Sequence, residues 1–261
     1  MYVSKILNEV SKEFARIETV DAVVLSGSQT SQIHDEKSDY DIYIYSSKSV
    51  PLETRENIAK KLTDNYVIGN TFFEDGDELN LVGDLGFDLM YRNLNWVKDE
   101  INWVWKNHNS KVGYTTCFLY NVKTSKILFD RNGGFKKFQD ELNQPYPDEL
   151  VNNIIAKNYP LLRTKDASYY DQLKLAVERN DVVSYAHRIS AILASYFDII
   201  FAINKQTHPG EKKLISYCEI LCSKLPKDFK KDVENVVISI GTDNMLPAID
   251  KLLDELDKIL V

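Results

Sequence analysis

The sequence predicts two folds in succession: an α/β half built on a mixed sheet, then an all-α helical bundle. Three observations predict this. The first 145 residues switch repeatedly between strand and helix period, the segment NQPYPDE breaks the pattern at Pro145 and Pro147, and nearly every later segment has helical period. With 261 residues and 44% hydrophobic content, each half has material for its own core. The expected domains are residues 1–145 and 146–261.

Val3, Ile6, Leu7, Val10, Phe14 and Ile17 fall at helical spacing, and Asp21 to Leu25 then form a short apolar strand ending in Ser26-Gly27-Ser28. After the polar QTSQIHDEKSD, Tyr40 to Tyr45 is β-rich, and a helix from Leu52 to Asp64 leads to strands at Tyr66 to Phe73 and Gly86 to Tyr91. Asn93 to Asn107 is expected as a Trp-rich helix. Tyr114 to Val122 and Lys126 to Phe129 are weaker strand candidates, and Asn132-Gly133-Gly134 is a turn. Helices are expected over 148–158, 166–179, 181–204, 211–224, 227–240 and 243–260, with Asp181, Pro226 and Asp243 as start signals.

No stretch approaches the roughly 18 uncharged apolar residues that span a bilayer, and the first residues lack a basic and then apolar leader. The expectation is a soluble cytoplasmic protein with no membrane partner. Cys117, Cys218 and Cys222 are an odd set without a second ligand cluster, so neither disulfides nor zinc are expected. A formal charge of −7, with the acidic excess mainly in the first half, makes a nucleic-acid partner unlikely and favours neutral or cationic ones.

The chemistry concentrates in L25-S-G-S-Q-T-S-Q-I-H-D-E-K-S-D39-Y-D41-I-Y-I-Y45. Residues two apart on a strand share a face about 6.6 Å apart, so Asp39 and Asp41 can converge on one or two hard cations while Ile42 and Ile44 face the core. Gly27 lets backbone approach an anion, and Ser28 adds a hydroxyl near an expected helix start that favours phosphate. Asp88, in the apolar GFDLMY, supplies a third carboxylate as ligand or proton acceptor.

These residues resemble the DNA-polymerase-β-like nucleotidyltransferase superfamily, whose motif is an apolar strand, Gly-Ser, a spacer, Asp-x-Asp in a strand, and a later acidic residue on a neighbouring strand. Gly27-Ser28, Asp39-Tyr40-Asp41 and Phe87-Asp88-Leu89 match its three parts. The motif covers about residues 20 to 92, and the α/β-then-helical layout resembles the members that modify aminoglycosides or lincosamides. The resemblance implies that Gly27 and Ser28 bind a nucleoside triphosphate (ATP), that Asp39 and Asp41 hold Mg²⁺, and that Asp88 is ligand, base or both. The implied reaction transfers a nucleoside monophosphate to a hydroxyl of a small molecule, an aminoglycoside-like antibiotic being the expected acceptor. The alternatives are transfer to a protein or tRNA, as in toxin–antitoxin pairs, and a nucleotide-binding regulator without turnover.

Some residues keep two readings. Glu74, Asp75, Asp77, Glu78, Asp84 and Asp88 lie in a stretch without Lys or Arg, either a solvated hairpin tip or an anionic rim for a cationic acceptor. His34 and Lys37 are loop surface or nucleotide contacts. Asp198, on an apolar helix, is either paired within the bundle or lines the substrate cleft.

Overall fold

The computed structural model describes residues 2–31, 33, 38–72, 74–83 and 85–260. His34, Lys37 and Asp84 therefore lie outside the described residues. By contacts the chain divides into two compact units, one made of residues 1–102 and 121–145, the other of 103–120 and 146–261. The chain crosses between them at 102/103, 120/121 and 145/146, the last crossing coinciding with the proline-marked break.

In the first unit, helix α1 (Tyr2–Ala15) leads into β1 (Val20–Ser26), a single 3-10 turn (Gly27–Thr30) and β2 (Tyr40–Ser46). Then come α2 (Leu52–Ala59), β3 (Asn65–Asn70), β4 (Gly76–Leu81), β5 (Leu85–Arg92) and α3 (Leu94–Ile101). A π-helical turn (Asn102–Lys106) and α4 (Cys117–Thr124), each divided between the two units, precede β6 (Lys126–Asp130) and α5 (Gly134–Leu142) of the first unit. The strands form one mixed six-stranded sheet in the order β3-β4-β5-β2-β1-β6. Only β2 and β5 run parallel, so α2 and the β3–β4 hairpin lie between them in sequence as the crossover that a parallel pair needs.

Alternation sorts the sheet into two faces. One face carries Val23, Leu25, Ile42, Ile44, Leu79, Phe87 and Leu89, which pack with Ile6, Leu7, Val10 and Phe14 of α1 as the apolar core. The other carries Tyr45 against Phe135 of α5, ring centroids 5.2 Å apart, and hydrogen-bonds Ser26 to Ser125. Burying about seven large apolar side chains on a single sheet face is what fixes the register, because a one-residue slip exchanges the faces.

Two expectations are corrected here. Tyr114 to Val122, expected as a strand, contains α4 instead. Gln139 of α5 donates to the carbonyls of Val122 and Ser125, which anchors the C-terminal end of that helix against its β-leaning sequence. The stretch 76–81, read as hairpin tip or rim, is strand β4. Its interior carboxylate Asp77, 1% exposed, accepts from the Gly69 amide (2.9 Å) and the Tyr91 hydroxyl (2.6 Å).

The second unit adds α6 (Asp148–Tyr159), a π-helical turn (Pro160–Thr164), α7 (Tyr169–Glu178), α8 (Val182–Ile203), α9 (Leu214–Leu221), α10 (Phe229–Ile238) and α11 (Met245–Leu260). Asp181 caps α8 by accepting from the Ser184 amide. Helix α8 is long and apolar enough to cross a membrane on length and mean hydropathy, which no stretch was expected to be, yet it holds Arg188 and Asp198 and is mostly buried as the centre of the bundle. Asp198 is paired within the unit: it accepts from the Thr115 amide (3.0 Å) and hydroxyl (2.7 Å) and from Asn158 Nδ2 (3.3 Å). Asn158 in turn accepts from the Gly113 amide and donates to the Lys111 carbonyl, so residues 111–115 are clasped between α6 and α8.

Burial raises the Asp198 carboxyl to about 7, against the hydrogen bonds that lower it. A folded value above the unfolded one means the native state holds the proton more tightly. Stability is therefore expected to fall by about 1.4 kcal/mol per pH unit between roughly pH 4 and 7 from this group alone. Chemical denaturation of the wild type and of Asp198→Asn across that range checks it. The asparagine variant should lose that part of the slope, and an unchanged slope would contradict the assignment.

Candidate functional site

The site starts where β1 ends. Ser26 is extended, Gly27 turns at φ +66°, and the 3-10 turn is braced by Thr30 Oγ1 donating to the Gly27 carbonyl (3.1 Å) and Ser31 Oγ to the Ser28 carbonyl (2.9 Å). Gln29 Nε2 donates to the Ser38 carbonyl (2.8 Å), which ties this turn to the residue before Asp39. A single 3-10 turn replaces the expected helix start, so the dipole offers little to an anion and the backbone amides and the Ser28 hydroxyl are what remain for it.

Strand register assembles the carboxylates. Asp41 pairs with Ser26 across the antiparallel β1–β2 ladder and with Asp88 across the parallel β2–β5 ladder, and Asp88 pairs with Glu78 across β4–β5. Directly paired residues share a face, so Glu78, Asp88, Asp41 and Ser26 form one row across four strands spaced about 4.8 Å apart. Asp39 lies one residue before β2 and is exposed, whereas Asp41 and Asp88 are half-buried. The sheet thus brings Asp39, Asp41 and Asp88 to one end of one face, with Gly27-Ser28 at its β1 side.

Two glycines make room for these carboxylates. A Cβ built on Gly27 stands 2.7 Å from the carboxyl carbon of Asp41, and one built on Gly86 stands 2.7 Å from that of Asp39. Each carboxylate therefore lies over bare backbone. Sequence reasoning found Gly27 and missed Gly86, although an isolated glycine inside an apolar strand is a signal of close approach. Gly27→Ala also forces a side chain into the left-handed region. It is expected to shift Asp41 and to cost about 1 kcal/mol of stability. A thermal melt of the variant beside the wild type checks this, and an unchanged midpoint would contradict it.

The charges explain each other. Burial holds the Asp88 carboxyl above its ordinary value, and the neighbouring charges of Asp39 and then Glu78 push the same way. The charged neighbours that act on Asp88 are carboxylates, whereas Arg55 balances Asp75 (2.7 and 2.6 Å) and Arg92 balances Glu74 (2.8 and 3.0 Å). Because the folded carboxyl is raised, its ionisation costs stability above the unfolded pKa and the cost disappears as pH falls. Without divalent cations, Asp88→Asn is expected to raise the thermal midpoint by on the order of 2 °C at pH 7 and by nothing near pH 3. A midpoint lowered at pH 7 would show that the Asp88 charge is compensated.

Among the described residues the donors at this end of the sheet are carboxylate oxygens, the type that suits a hard divalent cation. Among the described residues no three His, Cys, Asp or Glu side chains converge as a group that could hold a metal ion.

The same pairings remove half of the anionic rim. Arg55, buried and stacked 3.6 Å above the Tyr91 ring, takes Asp75, and Arg92 takes Glu74. With Asp77 inside the sheet, Glu78 and Asp88 are the described members of that stretch left on the site face. The stretch itself contains no base because Arg55 comes from α2 and Arg92 from the far end of β5.

A family model described as a domain of unknown function, DUF4037, matches residues 114–214, under half of the chain. No curated protein matches it. Among solved structures the chain is similar to a nucleotidyltransferase-like protein from Exiguobacterium sibiricum, at 12% identity and TM-score 0.46, over 96% of this chain and 72% of that one. It is also similar to a CCA-adding enzyme in complex with CTP, at 12% identity and TM-score 0.34, over 99% and 82%. A third is a Thermotoga maritima CCA-adding enzyme complexed with tRNA, at 14% identity and TM-score 0.30, over 98% and 82%. At these identities and TM-scores the likenesses carry no residue role to this chain.

Proposed function

We propose that this chain is a Mg²⁺-dependent nucleotidyltransferase that moves a nucleoside monophosphate from a nucleoside triphosphate, ATP in the first instance, to a hydroxyl acceptor. The observation that supports it most is the pairing of Asp41 with Asp88 at the head of the lone parallel strand pair, with Asp39 beside them and Gly27 packed on Asp41. Asp39, Asp41 and Asp88 are the residues that would hold the ion. Mg²⁺ supplies neutralisation of the phosphate charge.

The chain's own groups have separate tasks. The backbone at Gly27 and the Ser28 hydroxyl hold the triphosphate at the β1 side of the row. Asp88, on the other side of Asp41, takes the proton of the acceptor hydroxyl. The acceptor oxygen bonds to the α-phosphorus as the bond to the β-phosphate oxygen breaks, and pyrophosphate leaves. Rate then comes mainly from placing the hydroxyl in line with the leaving group.

The small cationic acceptor loses the support of its anionic rim once Arg55 and Arg92 are counted. Pyrophosphate release with ATP and Mg²⁺ across an aminoglycoside, a lincosamide, RNA and protein acceptors tests the reading. Release with one class identifies the acceptor; tight nucleotide binding with no release for any of them would favour a regulator.

A further inference from the structure

The row of residues next to the carboxylates carries no charge. Val24, Tyr43, Met90 and Gly76 pair across β1, β2, β5 and β4 on the same face as Ser26, Asp41, Asp88 and Glu78, two residues away along each strand, a step of about 6.6 Å. Over this row stands a wall. The Arg92 guanidinium lies over the Tyr43 ring, 4.4 Å from its centroid, and over the Trp96 ring, 5.0 Å from its centroid. Both carboxylate oxygens of Glu74 hold the same guanidinium in place (2.8 and 3.0 Å). Tyr43, Arg92 and Trp96 thus make one packed group beside Asp41, on the side of the row toward the C-terminal ends of β2 and β5.

Trp96 is fixed from both ends. Its backbone sits in the first turn of α3, where Asn93 Oδ1 accepts from the Asn95 amide (2.7 Å) and the Asn93 carbonyl from the Trp96 amide (3.1 Å). Its ring is held by Arg92. Yet it remains 43% exposed, whereas Tyr43 at the foot of the wall is 8% exposed and Trp105, a few residues on, is 5% exposed. A large flat ring that is oriented but left open forfeits burial that a core tryptophan gains, and a stacking partner recovers it. With its guanidinium matched by Glu74, the wall offers a flat, uncharged surface and no attraction for phosphate. A nucleotide meets this arrangement in order: its phosphates belong at the Gly27 side of the carboxylate row, its ribose over the uncharged step at Tyr43 and Met90, and its base against the indole.

We propose that Trp96 is the nucleobase platform of this site, the base of the nucleoside triphosphate stacking on its indole while Gly27 and Ser28 take the phosphates. The inference rests on the proposed transfer for the identity of the ligand and adds the residue that holds its base. Stacking on the platform itself needs no turnover. A base contributes its π-face whatever its edge, so the binding that Trp96 adds is expected for the nucleotide and absent for its phosphates alone.

Calorimetric titration of the full chain with Mg²⁺-ATP, and separately with Mg²⁺-tripolyphosphate, which has the phosphates and no base, tests it. The wild type is compared with Trp96→Ala, with Trp96→Phe, and with Trp103→Ala, which removes an exposed tryptophan of the second unit. Trp96→Ala is expected to weaken ATP at least about tenfold and to leave tripolyphosphate within about twofold of the wild type, with Trp96→Phe recovering part of the loss and Trp103→Ala binding like the wild type. Retained tripolyphosphate binding also shows that the variant is folded at the phosphate site. Equal ATP binding by the wild type and Trp96→Ala, an equal loss for ATP and tripolyphosphate, or the same loss in Trp103→Ala would overturn the platform. Trp96-dependent ATP binding by a wild type that releases no pyrophosphate would refute the transfer and leave the platform standing. Transfer with an ATP dependence unchanged in Trp96→Ala would do the reverse, and a wild type that binds neither ligand would overturn both.

Discussion

Asp41→Asn is expected to lower pyrophosphate release by at least about 1000-fold, roughly 4 kcal/mol of barrier, while leaving the thermal midpoint equal to or above that of the wild type. Asp41 is the centre of the row: Ser26 is its partner on one side and Asp88 on the other, and Gly27 packs on its carboxylate. Asparagine keeps the shape and removes the charge that a cation and a triphosphate require. The half-buried position limits the cost to the fold. Initial rates with ATP and Mg²⁺, read beside a melt, check both halves. Near-normal turnover in a folded variant would remove the row from the chemistry.

The second large effect lies in the other unit. Asp198→Ala is expected to destabilise the second unit by about 3 kcal/mol, because the Thr115 amide, the Thr115 hydroxyl and Asn158 Nδ2 lose a buried acceptor together. By the same reasoning a fragment of residues 146–261 is expected to lack a cooperative melt. It carries Asp198 and Asn158 without Gly113 and Thr115, and the His208 amide without the Thr116 hydroxyl that accepts from it at 2.8 Å. Denaturation of the variant and of the fragment, followed by circular dichroism, measures the loss. A fragment that melts like the full chain would make residues 103–120 a passenger.

Much of the fold was legible because it rests on local period. The α1 pattern from Ile6 to Phe14 buries one stripe, β1 and β2 are apolar runs, α11 buries a stripe from Met245 to Leu256, and α8 is an apolar helix buried on all sides over 195–202, and such patterns are written in the sequence. Strand β4 was not legible, since Asp77 sits inside the sheet and its partners, Tyr91 and the Gly69 amide, come from two other strands. Helix α4 was misread because Thr115, Thr116, Phe118 and Tyr120 favour strands while contacts of the following turn set the outcome. For the site, the motif residues Gly27, Asp39, Asp41 and Asp88 stood out. Glu78 entered the row through register alone.

The most direct measurement follows both ends of the nucleotide. The intact chain is incubated with Mg²⁺, the acceptor that elicits pyrophosphate release, and ATP labelled either at the α-phosphate or at the γ-phosphate. The account predicts that the α-label becomes covalently attached to the acceptor while the γ-label is recovered in pyrophosphate, and that Asp41→Asn abolishes both. Recovery of the γ-label as orthophosphate or on the acceptor, or full activity in the variant, would contradict it.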